Sequence, residues 1–329
     1  DGGEQTLTAE RIFINTGATP RRLGVAGEDS PRVLDSTGVL ALNERPRRLV
    51  IIGGGYIGLE FAFMFHAFGS EIPILDGGDR FLPREDRDIA EEMLRVLNSK
   101  GIKVLQGVKI EAFRDNTADT SVITSQGEFT ADAVLVGVGR VPNTQGLGLT
   151  NAGIKTDQRG FILVDDHLRV QGKNHIWAMG DVAGSPMFTY ISLDDYRIVR
   201  EQLFGDGKRN RADRTPFPTA TFTEPPLAHI GLTETAAQQS GREVKVLKLK
   251  ADAIPKAKIL NQTDGLLKAV VDAHSGEILG VTLFCAEAHE IINLFKMAID
   301  HRIPATYIKN QIFTHPTIAE GLNDLFAGC

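Results

Sequence analysis

Three clusters of residues in this sequence have the types and spacing that chemistry needs. The first is Gly53-Gly54-Gly55-Tyr56-Ile57-Gly58, a GxGxxG string between an apolar run and a helical pattern. In such a string Gly53 permits a tight turn, Gly55 lets the backbone approach a pyrophosphate, and Gly58 lets strand and helix pack closely. The free N–H groups and the dipole at the helix start then hold phosphates. Asp76 follows about 20 positions on, where a carboxylate accepts hydrogen bonds from a ribose 2′-OH and repels a 2′-phosphate. That favours NADH over NADPH. Arg80 and Arg84 stand near enough in sequence to serve a phosphate, and a solvated turn residue before Gly77-Gly78 is the other reading of Asp76.

The second cluster is Gly180-Asp181, behind the apolar string His175-Ile176-Trp177-Ala178-Met179. An aspartate at a strand's C-terminal end can bind a ribose or ribityl hydroxyl of a cofactor, although Gly-Asp turns are common without one. The third is His315-Pro316-Thr317-Ile318-Ala319-Glu320. A carboxylate that fixes the tautomer and orientation of an imidazole suits a general base. Alone, the same string reads as an exposed loop histidine ahead of a helix. The only cysteines, Cys285 and Cys329, form no CxxC pair and no disulfide framework, so a reducing cytoplasm is the expected compartment. Cys285 reads as a small buried hydrophobe. No metal site is expected.

These clusters need a scaffold to position them. At 329 residues the chain exceeds what one hydrophobic core sustains, so two or three domains are expected. A net charge of -6 argues against a general nucleic-acid binder. No apolar run reaches the roughly 18 residues of a membrane span, so no membrane partner is expected. Residues 48–52 read as a buried strand, Tyr56 to Phe68 as a helix closed by Gly69, and 71–76 as a second strand in which Pro73 is awkward. This is a βαβ unit, the builder of parallel sheets. A helix over 87–100, a β-rich stretch over 102–130 and a strand over 133–139 follow. After loops from Asn143 come a strand over 175–181, a helix over 192–204, and a charged link, Gly205 to Arg214, that reads as a domain boundary. The remainder reads as an α+β domain with strands near 219–222, 243–249, 265–272 and 278–284. In its main helix, over 289–300, Ile291, Ile292, Leu294, Phe295 and Ala298 spread over more than one face, which implies burial inside the domain or against a partner. The opening Asp1-Gly2-Gly3 runs into a strand-like stretch with no helix cap, so the chain is expected to be entered part-way through a domain.

In this order, the three clusters resemble the pyridine nucleotide-disulfide oxidoreductase family, which includes dihydrolipoamide dehydrogenase, glutathione reductase and mercuric reductase. Asn15-Thr16-Gly17-Ala18-Thr19-Pro20 looks like that family's FAD-domain turn, Gly139-Arg140-Val141-Pro142-Asn143 like its G-R-x-P-N turn, and Trp177-Ala178-Met179-Gly180-Asp181-Val182 like its FAD-contacting strand. A more particular similarity is to the reactive-chlorine-resistance reductases. It rests on the strings from Phe81 to Ala90, Phe188 to Val199, Gln311 to Pro316 and Leu322 to Phe326.

The resemblance implies an α/β fold: two Rossmann-like nucleotide-binding domains, the FAD domain incomplete, plus a C-terminal α+β dimerisation domain. The expected segments are 1–36 and 146–213 for the FAD domain, 37–145 for the NAD(P) domain and 214–329 for dimerisation. It also implies a cytoplasmic homodimer that passes hydride from NAD(P)H to FAD, then to a disulfide or a metal ion such as copper(II), in oxidative-stress defence. Thr16, Gly17, Gly180 and Asp181 would serve the flavin, Gly139 in the turn beneath the nicotinamide domain and Phe188 and Thr189 would be cofactor-binding, and Glu60 would face the nicotinamide. His315 with Glu320 would serve the partner subunit's site. The family's first GxGxxG and its CxxxxC pair are absent from this sequence, so a segment carrying them is an expected missing partner. Two alternatives stand beside this reading: an inactive NAD-binding and dimerisation module, and a dihydrolipoamide dehydrogenase-like enzyme.

Overall fold

Leu49-Val50-Ile51-Ile52 forms a strand buried at every position. It lies centrally in a five-stranded parallel sheet ordered Val33–Leu34, Ala133–Val136, Leu49–Ile52, Pro73–Leu75, Lys103–Leu105. Alternation along each strand sends side chains to two cores. Leu49, Ile51, Ile74 and Leu135 pack with the helices Tyr56–Ala67 and Arg87–Ser99. Val50, Ile52, Leu75 and Val134 pack with Phe113, Val122 and Ala131. These last residues come from a three-stranded antiparallel sheet, Ile110–Asp115, Thr120–Thr124 and Gly127–Ala131. Burial on both faces is why the parallel strands read as continuous apolar runs. Pro73 is accommodated as the first residue of its strand, where proline is tolerated.

The structure, a computed structural model, describes residues 5–329, so the Asp1-Gly2-Gly3 opening lies outside the described residues. The chain divides into two compact units. One comprises the residues up to Arg21 together with Gly139–Thr215, and the other Arg22–Val138 with Pro216–Cys329.

The second unit also holds a five-stranded antiparallel sheet ordered Thr219–Thr221, Leu227–Gly231, Ile278–Phe284, Leu266–Asp272, Val244–Lys250. The sequence pattern does not mark Leu227–Gly231, because Pro225-Pro226 abuts it and reads as loop. The helix Ala288–Asp300 lies on this sheet with Ile291, Ile292, Phe295 and Ala298 in its core. Leu294 and Met297 stay 38% and 55% exposed, so the second apolar face expected of this helix is open within one chain.

In the first unit, Ile12–Ile14 pairs in parallel with Ile176–Ala178, and Ala18–Pro20 pairs antiparallel with Arg140–Pro142. The strand expected over 175–181 stops at Ala178, and Gly180–Ala183 is a 3-10 turn, so Asp181 sits in a turn and not at a strand end. The helix expected from Ser192 starts at Thr189, because Phe188 is extended and caps it. The charged link is also folded. Asn210 and Asp213 form a capping box around Arg211–Arg214, and Arg214 is only 8% exposed.

Candidate cofactor-binding sites

The fingerprint glycines build the first site. Gly53 adopts φ 106°, a conformation that side chains resist. A Cβ on Gly58 would stand 2.0 Å from the Gly53 carbonyl oxygen, so only glycine lets this helix sit so close to the turn. Gly55 caps the helix without a side-chain hydrogen bond, and the space where its Cβ would stand is open. The helix start therefore offers unpaired N–H groups and an unobstructed approach, which fits a pyrophosphate.

Asp76 stands beside this turn. A Cβ on Gly54 would lie 2.9 Å from its Oδ2, and Gly78 N–H approaches its Oδ1 at 3.4 Å. The carboxylate is thus against the fingerprint loop, where a ribose hydroxyl would be recognised. Tyr56 donates its hydroxyl to Glu85 at 3.0 Å, so its side chain is committed and its backbone is what faces the site. Burial, reinforced by Glu85, pushes the Tyr56 phenol well above its ordinary range. Ile57 is half-buried. Glu60 accepts the Phe222 N–H at 2.9 Å.

The other unit carries a recess of about 410 Å³ lined by Asn15, Gly17, Arg140, Asp181, Met187, Phe188, Thr189 and Ser192. Gly17, with φ 72°, leaves open space where a Cβ would stand. An open glycine, a carboxylate that can accept from hydroxyls and a guanidinium that can donate to phosphates around one recess fit a flavin nucleotide. Of the cofactor-binding candidates, Gly17, Asp181, Phe188 and Thr189 are brought together in this recess.

Thr16, Gly139 and Gly180 support the recess and do not line it. Thr16 donates to the Asn143 carbonyl at 2.8 Å, and the Asn143 amide donates back at 2.9 Å. The Gly139 carbonyl accepts the Arg21 N–H at 2.9 Å. Asn15 and Arg140 lie inside the strings that carry the resemblance, so their roles were within reach of the sequence. Ser192 likewise lies inside the Phe188–Val199 string, whereas Met187 shows no sequence signal.

His315 and Glu320 do meet. Nδ1 of the ring lies 2.7 Å from Oε2, while Oε1 accepts the Thr317 N–H at 3.2 Å. The bond to His315 holds the Glu320 carboxyl below the usual carboxylate range. The His315 side chain is 71% exposed, so the ring is oriented by its own chain yet open to a reactant. Cys285 is a different case: burial pushes its thiol up to about 12, which removes it from thiolate chemistry at neutral pH.

Residues 1–195 match the family model described as pyridine nucleotide-disulphide oxidoreductase, and residues 217–326 match that family's dimerisation domain. The chain is 45% identical over 326 residues to the probable pyridine nucleotide-disulfide oxidoreductase RclA of Escherichia coli, covering 99% of this chain and 74% of that protein. It is 34% identical over 322 residues to a mercuric reductase of Staphylococcus aureus, covering 97% of this chain and 58% of that one. Among solved structures, the Cu(II) complex of the HOCl-induced flavoprotein disulfide reductase RclA from E. coli superposes with a TM-score of 0.94 at 45% identity. That match covers 97% of this chain and 72% of the other.

Proposed function

The chain belongs to the pyridine nucleotide-disulphide oxidoreductase family, and on that premise we propose that it serves an FAD-dependent NAD(P)H oxidoreductase of the chlorine-stress type. The observation that carries the reading is the Asp76 carboxylate set against an open, glycine-built helix start. Gly53, Gly55 and Gly58 shape the pyrophosphate seat, and Asp76 selects a ribose 2′-OH, which favours NADH. Gly17, Arg140, Asp181 and Thr189 would hold the flavin nucleotide in the recess. Bound FAD supplies the hydride acceptor for the nicotinamide and the electron donor for a disulfide or a metal ion such as copper(II). The protein's part is to orient both nucleotides and to keep water from the reacting faces.

The dimerisation-domain match over residues 217–326 supports a homodimer through residues 214–329, and in this reading His315, oriented by Glu320 and open to a reactant, acts with Glu320 at the partner's site. Among the described residues no helix is long and apolar enough to cross a membrane, and the cytoplasm is the proposed location.

Purified protein with a flavin absorbance that NADH bleaches under anaerobic conditions is the expected result. Cys285, the buried thiol, favours a second reading: these residues form an NAD-binding and dimerisation module whose thiol chemistry lies elsewhere. Colourless protein that binds NADH would favour that module and overturn the first reading.

A further inference from the structure

The Asp195 carboxylate is fully buried at 0% exposure, inside the helix Thr189–Phe204. Its Oδ2 accepts the Gly180 N–H at 2.8 Å, and its Oδ1 accepts Arg214 Nη2 at 2.6 Å. Arg214, itself 8% exposed, also places Nε 3.1 Å from Asp194 Oδ2, and Arg209 pairs with Asp194. Two acids and two bases thus form a cluster spanning that helix and the 205–214 segment. A buried carboxylate is costly unless it is paired and hydrogen-bonded. Here Arg214 offsets the charge, which leaves a charge-assisted acceptor for one backbone amide.

That amide opens the turn that carries Asp181 into the recess. Gly180 has φ 70°, and as glycine it has the widest backbone freedom of any residue. A Cβ on Gly180 would lie 2.7 Å from Ser192 Oγ, and Ser192 lines the recess. Ser192 and Asp195 share one face of the helix, one turn apart. The same helix face therefore clamps Gly180 from the Cα side and through its N–H.

We propose that Asp195, backed by Arg214, is a positioning residue that locks the Gly180–Asp181 turn in its flavin-binding conformation. The inference rests on the reading of this recess as the flavin site. Asp195 does not touch the recess; it acts through Gly180.

The test uses three variants of the FAD-loaded enzyme. Readouts are the FAD dissociation constant, the flavin absorbance band shape, thermal unfolding and hydrogen exchange at the Gly180 amide. Asp195→Ala should speed Gly180 exchange and weaken FAD binding by about tenfold or more, the scale of one lost bond to a charged group. Asp195→Asn keeps an oxygen for Gly180 but loses the ion pair with Arg214. It should fall between wild type and Asp195→Ala in both exchange and affinity, with an altered flavin band. Asp181→Ala should weaken FAD while Gly180 exchange stays slow.

Unchanged Gly180 exchange and FAD affinity in Asp195→Ala would overturn the proposal. So would equal losses in the Asn and Ala variants that follow only the drop in thermal stability, since that marks a merely structural role. If Asp195→Ala does not fold, wild-type affinity and band shape in Asp195→Asn overturn it. If Asp181→Ala leaves FAD affinity intact, the flavin reading of the recess falls, and Gly180 exchange still decides whether Asp195 clamps the turn.

Discussion

Glu60 and Phe222 lie 162 positions apart, yet the Glu60 Oε1 accepts the Phe222 N–H at 2.9 Å. A residue on the fingerprint helix is thereby tied to the backbone just after the Thr219–Thr221 strand. The nicotinamide-facing candidate thus also has a structural duty. Glu60→Ala should lower stability by about 1 kcal/mol, near the low end for an unpaired N–H because Phe222 is 63% exposed. Glu60→Gln keeps an acceptor and should lose less. Chemical denaturation of both variants checks the order.

The Asp76 carboxylate beside Gly54 predicts cofactor choice. Asp76→Ala should weaken NADH binding by about 1–3 kcal/mol, the scale of a hydrogen bond to a charged group. NADPH binding should weaken less, because a like-charge repulsion is removed at the same time. Titration with each nucleotide measures the difference, and equal losses count against the assignment.

Lys268 is 2% exposed and lies 3.0 Å from Asp86, 3.0 Å from Asp88 and 2.6 Å from Glu234. Burial pulls its ammonium down, but the three carboxylates outweigh that and leave it above its ordinary value. Asp86 also accepts the Glu234 N–H at 3.0 Å, so the cluster joins the start of the Arg87–Ser99 helix to the Glu234–Gln239 helix. Lys268→Met should cost about 3–5 kcal/mol, because three acids lose their buried partner. Calorimetry at neutral pH should show the loss. Burial raises the Asp88 carboxyl, but Lys248 and Lys268 outweigh that and hold it below its ordinary value, so the loss should shrink only at acidic pH, as that carboxylate protonates.

Glu320 is held below its ordinary value, first by the bond to His315. A depressed carboxyl contributes stability above its ordinary range and loses it only as pH falls through the lower, folded value. The Glu320 carboxyl resonance should therefore titrate below the usual Glu range, and His315→Ala should move it up. In the proposed flavoenzyme His315→Ala should slow disulfide turnover by about 10²–10⁴-fold, the usual share of acid–base catalysis. Direct metal-ion reduction should change little.

The thiols differ in accessibility. Cys285 is buried with its thiol pushed up to about 12, whereas Cys329 is partly exposed. Alkylation at mildly basic pH should label Cys329 and leave Cys285 unmodified until the protein unfolds. Mass spectrometry of the labelled peptides decides.

The sequence alone determined the parallel sheet and the nucleotide fingerprint. Both are local patterns: glycines at fixed spacing, and apolar runs that must be buried on both faces. The spacing of His315 and Glu320 likewise fits a pair that the fold brings to 2.7 Å. Tertiary structure decided which candidates line a site and which support it. Thr16 is held by Asn143, Gly180 by Asp195, and Tyr56 by Glu85. Met187 joined the recess with no motif to announce it. Arg214, at the end of the charged link, is buried against Asp194 and Asp195 for the same reason. A side chain's partner in such cases is set by packing between segments far apart in the chain, and no local spacing encodes that.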